Sequence, residues 1–300
     1  MDLDALAACV STMSCVVTQT TSGLIVGMLL FLVAAGLTLI FGVLKIVNFA
    51  HGTFYMLGAY LAYTVYTVTG SYVLGVLAGG AGMAIFGILF ERGLISRVYG
   101  ANVLMQLLIC YAVVLICDDL VKLVWGPDFR AMGMPPAFQV PPWSIAGGVV
   151  PPFYLLLIAV ALVIGGGLGL CLGATRLGKI IRAAAHNPDM VSALGINTTL
   201  LYTLVFATGG MLAGLAGGLA APVRSLTPGM GFSVLIESFI VTVIGGMGSI
   251  GGALIASVVL GLIRGFGTIG FPLFTDGLMY IAMIIILVSR PSGLFGKEIV

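Results

Sequence analysis

Long apolar runs, separated by short polar segments, are the feature that most constrains this chain. A bilayer core of roughly 30 Å needs about 20 helical residues per crossing. Nine windows meet or approach that length: residues 22–46, 53–69, 72–91, 103–125, 152–173, 199–222, 232–247, 252–268 and 273–290. Because these runs lack the alternating pattern of a membrane β-barrel, they predict helices. We expect an all-α polytopic membrane helix bundle, one domain over residues 1–300, with about nine transmembrane segments and eight as the other natural count.

Charged residues are scarce, and their positions predict an orientation. Only 7% of the 300 residues are charged, too few to cover a soluble surface, and no basic cluster with interleaved aromatics indicates a nucleic-acid partner. Cations mark cytoplasmic loops. Here they follow the first, third, fifth and last runs, at Lys45, Arg92, Arg97, Arg176, Lys179, Arg182, Arg290 and Lys297. The N-terminus and the long segment 126–151 are therefore expected outside. The C-terminus is expected in the cytoplasm, which requires an odd number of crossings.

The two halves of the chain show the same order of elements. Residues 22–69 hold an apolar helix, a polar break at 45–52 and a second helix, and residues 199–247 hold the same with a break at 222–231. This pattern predicts an inverted 4+1+4 repeat with discontinuous helices. The two breaks are expected toward opposite membrane faces, 45–52 inside and 222–231 outside. Its parts are a first repeat at about 22–125, a linking helix at about 152–173 and a second repeat at about 199–290. A polytopic bundle without internal symmetry is the alternative.

The most polar stretch, TRLGKIIRAAAHNPDMVSALGIN at 175–197, does not predict nucleotide binding. A phosphate-binding loop follows a β-strand and ends in Lys followed by Ser or Thr. Here Ile180 follows Lys179, and an apolar run precedes the segment. We therefore interpret the stretch as a cytoplasmic loop, 174–197, that does not bind ATP.

Within this loop, local chemistry predicts a short capped helix. Asn187 is a favoured N-cap, Pro188 suits the first helical position, Asp189 meets the helix dipole, and Gly195 is a typical helix end. Its apolar face is formed by Met190, Val191 and Leu194. Such a helix either docks into a groove on a partner protein or rests on lipid headgroups, and the residues alone do not separate these two interpretations.

Polar residues expected at membrane depth are the candidates for a solute route. Irregular backbone at that depth must be shielded by protein or face a water-filled cavity. The two breaks supply Asn48, His51 and Gly52, and then Ser225, Thr227, Pro228 and Gly229. Glu237 lies about two turns into the seventh run, where a charge is a functional candidate. The alternatives are interfacial turns that cap helices and, for Glu237, an acid stabilised by the helix dipole.

The remaining polar groups give weaker signals. Asp118 and Lys122 are four residues apart and are expected to pair, with Asp119 beside them. Arg264 either extends to the interface or pairs with Asp276. The five cysteines show no metal-binding spacing, and we interpret them as small apolar packing residues.

Four blocks carry a family resemblance: GLTLIFGVLKIVNFAHGTFYMLGAY at 36–60, VWGPDFRAMG at 124–133, RLGKIIRAAAHNPDMVSALGIN at 176–197 and LIESFIVTVIGGMGSIGGALI at 235–255. In this order, from about Gly23 to Gly296, they resemble the permeases of branched-chain amino acid ABC transporters, and specifically the shorter of the two permease types. In that family the third block is the cytoplasmic loop that couples to the ATPases.

The resemblance implies a permease subunit in a bacterial cytoplasmic (inner) membrane, and not an enzyme. It implies a second related permease, an extracytoplasmic solute-binding protein, and two ATP-binding subunits that carry the ATP and magnesium, so that no cofactor is expected on this chain. The residues that it assigns to ATPase coupling are Arg182, His186, Asn187, Pro188, Asp189, Met190, Leu194 and Gly195.

The resemblance also implies that solute passes between two permeases, so that each chain forms one wall. We expect the second and seventh runs to form this wall, with Tyr55, Met56 and Thr242 among the lining residues. The solute is left open among branched-chain and other hydrophobic amino acids, urea and short amides.

A stand-alone secondary carrier is the alternative function. It would need its own ion site, for which the runs offer few carboxylates apart from Glu237. An intramembrane enzyme would need paired catalytic groups at depth, whereas His51 and His186 both lie near expected cytoplasmic loops.

Overall fold

The structure, a computed structural model, describes residues 3–296, which form twelve α-helices, three short 3-10 helices and one short β-hairpin. The helices are α1 Leu3–Ser11, α2 Met13–Leu44, α3 His51–Thr69, α4 Tyr72–Gly93, α5 Val103–Trp125, α6 Pro152–Ala174, α7 Arg176–His186, α8 Pro188–Ala193, α9 Thr198–Ala220, α10 Met230–Gly245, α11 Ile250–Gly270 and α12 Thr275–Ser289. The strands are β1 Trp143–Ile145 and β2 Gly148–Val150, paired antiparallel. Lys297, used above for orientation, lies outside the described residues.

Six helical segments of the described chain are long and apolar enough to cross a membrane. They contain α2, α4, α6, α9, α11 and α12. This confirms a polytopic helical membrane protein. The other three predicted runs are also helical, as α3, α5 and α10, but α10 has only 16 residues, which gives it a length of about 24 Å at 1.5 Å per residue.

Close helix packing rests on small residues. Gly214 of α9 faces Gly79 of α4, where an added Cβ would lie 2.5 Å from the Gly79 carbonyl oxygen. Lipid supplies no hydrophobic drive between helices, so this close approach lets van der Waals contacts hold them together. The core lies where α2, α3 and α9 pack against each other and against α4, α10 and α11.

The bundle has two ends with different structures. At one, called the hairpin end, β2 packs on the start of α2, and the Val149 amide donates to Thr18 Oγ1 at 3.0 Å. At the other, called the coupling end, α7 packs on the end of α2 through Ile181 beside Leu39 and Val43. The hairpin was not expected in an all-α chain; it forms within the predicted external segment 126–151.

The first helix pair corrects the interpretation of the cysteines. Cys9 and Cys15 form a disulfide that joins α1 to the start of α2, so these two are not packing residues. Cys110 and Cys117 are buried, as expected, and Cys171 is partly exposed. The sequence did not reveal the disulfide, because two cysteines six residues apart near the N-terminus are also compatible with simple packing.

The two breaks lie where they were predicted, but the helices that follow them meet. α2 ends at Leu44 and α3 begins at His51, while α9 ends at Ala220 and α10 begins after Gly229, which has φ 84°. The start of α3 touches the start of α10, so that a Cβ added to Gly231 would lie 2.7 Å from the Gly52 carbonyl oxygen. We expected the breaks toward opposite membrane faces. The chain does enter them from opposite ends of the bundle, yet both lead to one central crossing.

Candidate functional site

The coupling end presents two consecutive helices with defined caps. Thr175 Oγ1 accepts the Gly178 amide at 3.1 Å and begins α7. Asn187 Oδ1 accepts the Met190 amide at 3.0 Å and begins α8, as the sequence predicts for this N-cap. Gly195 has φ 81°, the left-handed conformation expected just after a helix end. The sequence predicted only the short helix after Asn187, and the structure adds the helix at residues 176–186.

The predicted apolar face of α8 is divided between core and solvent. Val191 is buried with Ala184 and Leu201, whereas Met190 and Leu194 are 62% and 74% exposed. His186, Asn187, Pro188 and Asp189 are exposed as well. Arg182 instead donates to the Leu172 carbonyl and so ties α7 to the end of α6. The exposed side chains form a compact surface with apolar and polar groups available to a partner.

A buried carboxylate that the sequence analysis missed lies beneath this surface. Glu91 of α4 is fully buried and accepts hydrogen bonds from the Tyr99 hydroxyl and from Thr203 Oγ1, the latter at 2.7 Å. Burial raises the pKa of Tyr99, and the adjacent Glu91 carboxylate raises it further, so the phenol remains a protonated donor. The sequence signal that could have indicated this buried site was Glu91 itself, an acid at the end of an apolar run.

The Tyr99 ring packs edge-on against Tyr202 at 5.6 Å between centroids. Leu201, the neighbour of Tyr202 in α9, packs against Val191 of α8. Packing contacts therefore connect α8 to the pairing of α4 with α9.

The candidates of the first break are enclosed by protein. Asn48, His51 and Thr53 are at most 1% exposed. Asn48 Oδ1 accepts the Ala50 amide at 3.0 Å, and His51 Nε2 donates to the Val33 carbonyl at 3.0 Å. Asn48 Nδ2 and His51 Nδ1 have no hydrogen-bond partner. These residues shield irregular backbone inside the bundle and do not line an open cavity.

The expected wall residues are also buried. Tyr55, Met56 and Thr242 are at most 3% exposed. Tyr55 lines one small cavity together with Arg224, while Thr38 Oγ1 donates to Thr242 Oγ1 at 3.3 Å. Within this chain, α3 is therefore a core helix, covered by its neighbours from His51 to Tyr60.

The second break is partly open at the hairpin end. Ser225 and Thr227 are exposed, and between them Leu226 forms a bridge with Arg130 of the 126–151 segment. Gly229 lies beside Asp118, because a Cβ added to Gly229 would be 4.0 Å from Asp118 Oδ2. The expected pairing of Asp118 with Lys122 is wrong, because Lys122 Nζ contacts Asp119 Oδ1 at 2.9 Å instead.

Glu237 belongs to a cluster of four charges. Its Oε1 lies 2.7 Å from Arg264 Nη1 and its Oε2 lies 3.7 Å from Arg224 Nη2. Arg264 Nη2 also lies 3.5 Å from Asp276 Oδ1, which settles the open question about Arg264 in favour of pairing. Arg224 was missed, because in sequence it is a loop residue 13 positions before Glu237.

Sequence comparison identifies the kind of protein that carries these features. Residues 19–288 match the family described as branched-chain amino acid transport system, permease component. The chain belongs to this permease family. It is 32% identical over 292 residues to the high-affinity branched-chain amino acid transport system permease protein BraD of Pseudomonas aeruginosa, covering 93% of this chain and 95% of that protein.

Other members of the permease family align over similar lengths. The permease protein LivH of Salmonella typhimurium is 27% identical over 93% of this chain and 95% of its own length. A probable branched-chain amino acid transport permease protein LivH of Methanocaldococcus jannaschii is 27% identical over 90% of this chain and 89% of its own length. No solved structure matches the chain significantly. The chain is thus a membrane permease subunit of an ABC importer and not itself an enzyme.

Proposed function

We propose that this permease imports branched-chain or similar hydrophobic amino acids, as one of two related permeases that enclose the solute route. The observation that carries the proposal is the family match over residues 19–288, together with relatives whose names specify branched-chain amino acids. Two separate ATP-binding subunits would supply the ATP and magnesium, and an extracytoplasmic binding protein would deliver the solute. The location would be the bacterial cytoplasmic membrane.

In this proposal α7 and α8 form the contact with an ATP-binding subunit. The exposed Met190 and Leu194 would enter a groove on that subunit, as apolar anchors do in other helix-in-groove contacts. His186, Asn187, Pro188 and Asp189 would surround them, Gly195 would fix the helix end, and Arg182 would hold α7 to α6. The contacts from Val191 to Leu201, and from the adjacent Tyr202 through Tyr99 to Glu91, would then connect this surface to the helix core.

We further propose nine crossings, with the hairpin end outside and the coupling end in the cytoplasm. The disulfide between Cys9 and Cys15 supports this orientation, because disulfides persist in oxidising compartments outside the cytoplasm. The inverted repeat is supported by two helices, α3 and α10, that each follow a break and start at the same point. The binding protein would dock at the hairpin end.

The solute route is proposed at the face of α10 and not along α3. Since α3 is enclosed, Asn48, His51, Gly52, Tyr55 and Met56 would support the route from behind. Ser225, Thr227 and Gly229 would lie at its outer entrance, and Glu237 along it. Thr242 would brace α10 against α2 through Thr38.

The test is reconstitution with the partner subunits. In proteoliposomes that contain the partner permease, the ATP-binding subunits and the binding protein, leucine uptake should require ATP. Uptake by this chain alone, driven by an ion gradient, would instead support a stand-alone carrier. Leu194→Glu should prevent co-purification of the ATP-binding subunits, whereas Val68→Glu, at an 81% exposed site at the hairpin end, should not.

A further inference from the structure

The charges around Glu237 form an alternating series. Arg224, Glu237, Arg264 and Asp276 follow one another, with successive contacts of 3.7, 2.7 and 3.5 Å. They come from the second break and from α10, α11 and α12. Two positive and two negative groups make the cluster neutral, so it has sites for both charges of a zwitterion.

The cluster is incompletely satisfied. Glu237 Oε2 and Arg264 Nη1 are both buried without a hydrogen-bond partner, since the short contact of Nη1 with Glu237 Oε1 lacks hydrogen-bond geometry. Buried charged groups normally complete their hydrogen bonds, because an unmade bond to a charge is costly. Donor and acceptor capacity therefore remains for a ligand.

An open cleft of about 170 Å³ adjoins these charges between α10 and α12. Glu237 and Asp276 are on its wall, and the rest of the lining is mostly apolar, with Phe232, Ile236, Ile240, Met279 and Tyr280. One water needs only roughly 10–15 Å³ of such space. Few polar groups in an apolar cleft are typical of small-molecule sites.

Ionisable groups within membrane helices face protein or water and not lipid. Glu237 and Arg264 lie well inside α10 and α11. A face of α10 and α12 that bears such charges is therefore suited to protein or water contact, as the proposed solute route requires.

We propose that this cleft is a binding site for a zwitterionic α-amino acid. The ligand ammonium contacts Glu237 and Asp276, and its carboxylate contacts Arg264, whose Nη2 lies 3.5 Å from Asp276 Oδ1 at the cleft wall, since guanidinium groups suit carboxylates. An aliphatic side chain lies on the apolar lining. The inference rests on the proposed function in one respect, namely that the solute is an amino acid.

The test measures ligand protection of a cysteine in the cleft. Ser233, an exposed residue of the lining, is changed to Cys in a Cys171→Ala background, because the other two free cysteines are buried. The complete complex in nanodiscs, without binding protein, is labelled with a hydrophilic thiol reagent. Leucine should slow labelling, whereas leucinamide, which lacks the carboxylate, and 4-methylpentanoate, which lacks the ammonium, should not at the same concentration. Gln139→Cys, in the external segment, should be unaffected by all three.

Two variants separate binding from a structural role of the cluster. Glu237→Gln should require at least about tenfold more leucine for equal protection, since one partner of a buried charge pair is lost. The exchange of Glu237→Arg with Arg264→Glu retains an ion pair and thus the fold, but should also lose protection. Protection equal to that of the unexchanged protein would show that the cluster is only structural and would overturn the proposal.

The outcome also distinguishes this inference from the function on which it rests. If the Ser233→Cys complex takes up leucine with ATP but leucine does not slow its labelling, the proposed binding site is wrong and the proposed function stands. Equal protection by all three compounds would show that the cleft does not recognise the ligand ammonium and carboxylate together. A complex that neither transports any amino acid nor is protected by one removes the proposed function itself.

Discussion

At the residue scale, single contacts decide how the two broken helices fit together. The backbones of Gly52 and Gly231 approach so closely that neither position has room for a side chain. Neither residue was predictable as half of a pair, because 179 residues separate them in sequence. The sequence identified Gly52 from its place in a polar break, but only the folded chain shows what it touches.

Gly52→Ala should destabilise the protein by about 1–3 kcal/mol, the usual cost of overpacking a tight site. The new Cβ would overlap the Gly231 carbonyl oxygen and lie 2.8 Å from the Leu235 Cβ. The thermal unfolding midpoint in detergent should fall accordingly. Gly93→Ala is the matched control, since nothing lies within 4 Å of its added Cβ. Equal midpoints for both variants would contradict the close approach.

Gly195→Val should reduce coupling without affecting membrane insertion. No atom lies near an added Cβ, so the effect would come only from φ 81°, which a β-branched residue disfavours by about 1–2 kcal/mol. ATP hydrolysis stimulated by the loaded binding protein should fall. Gly195→Asn should retain more activity, because Asn tolerates the left-handed conformation. If the Val and Asn variants have equal stimulated ATPase activity, the left-handed conformation at Gly195 is not required for coupling.

At the element scale, local chemistry was readable and tertiary pairing was not. The cap at Asn187, the turn at Gly195 and the limits of both breaks follow from residues close in sequence, and the structure has each of them. The choice of Asp119 over Asp118 by Lys122 depends on side-chain direction at the end of α5. Glu91 and Thr203 meet across 112 residues, which no local pattern indicates.

Removal of the disulfide should loosen α1 from α2. A six-residue separation closes a short loop, and in the chain-entropy view such a cross-link contributes about 2 kcal/mol. Replacing Cys9 and Cys15 by Ala should make α1 more accessible to proteolysis while α8 stays unchanged. Thiol titration of the unfolded, unreduced protein should find three free cysteines. Five free thiols would contradict the cross-link.

At the scale of the whole molecule, the two ends should face different compartments. Single cysteines at Gln139, in the external segment, and at Ser192, in α8, are both exposed and can be labelled in intact cells and in inverted vesicles. We expect Gln139→Cys to react from outside and Ser192→Cys only from the cytoplasmic side. Reaction of both from the same side would eliminate the proposed orientation and the odd number of crossings.

The central crossing of α3 and α10 has a consequence for the electrostatic potential inside the protein. Each helix start carries the equivalent of about half a positive charge, and the two starts touch at Gly52 and Gly231. Paired helix ends of this polarity exclude cations and protons from a pore. The same contact that joins the two halves thus places the positive ends of two helices together in the interior, behind the proposed solute route, where they oppose the entry of cations.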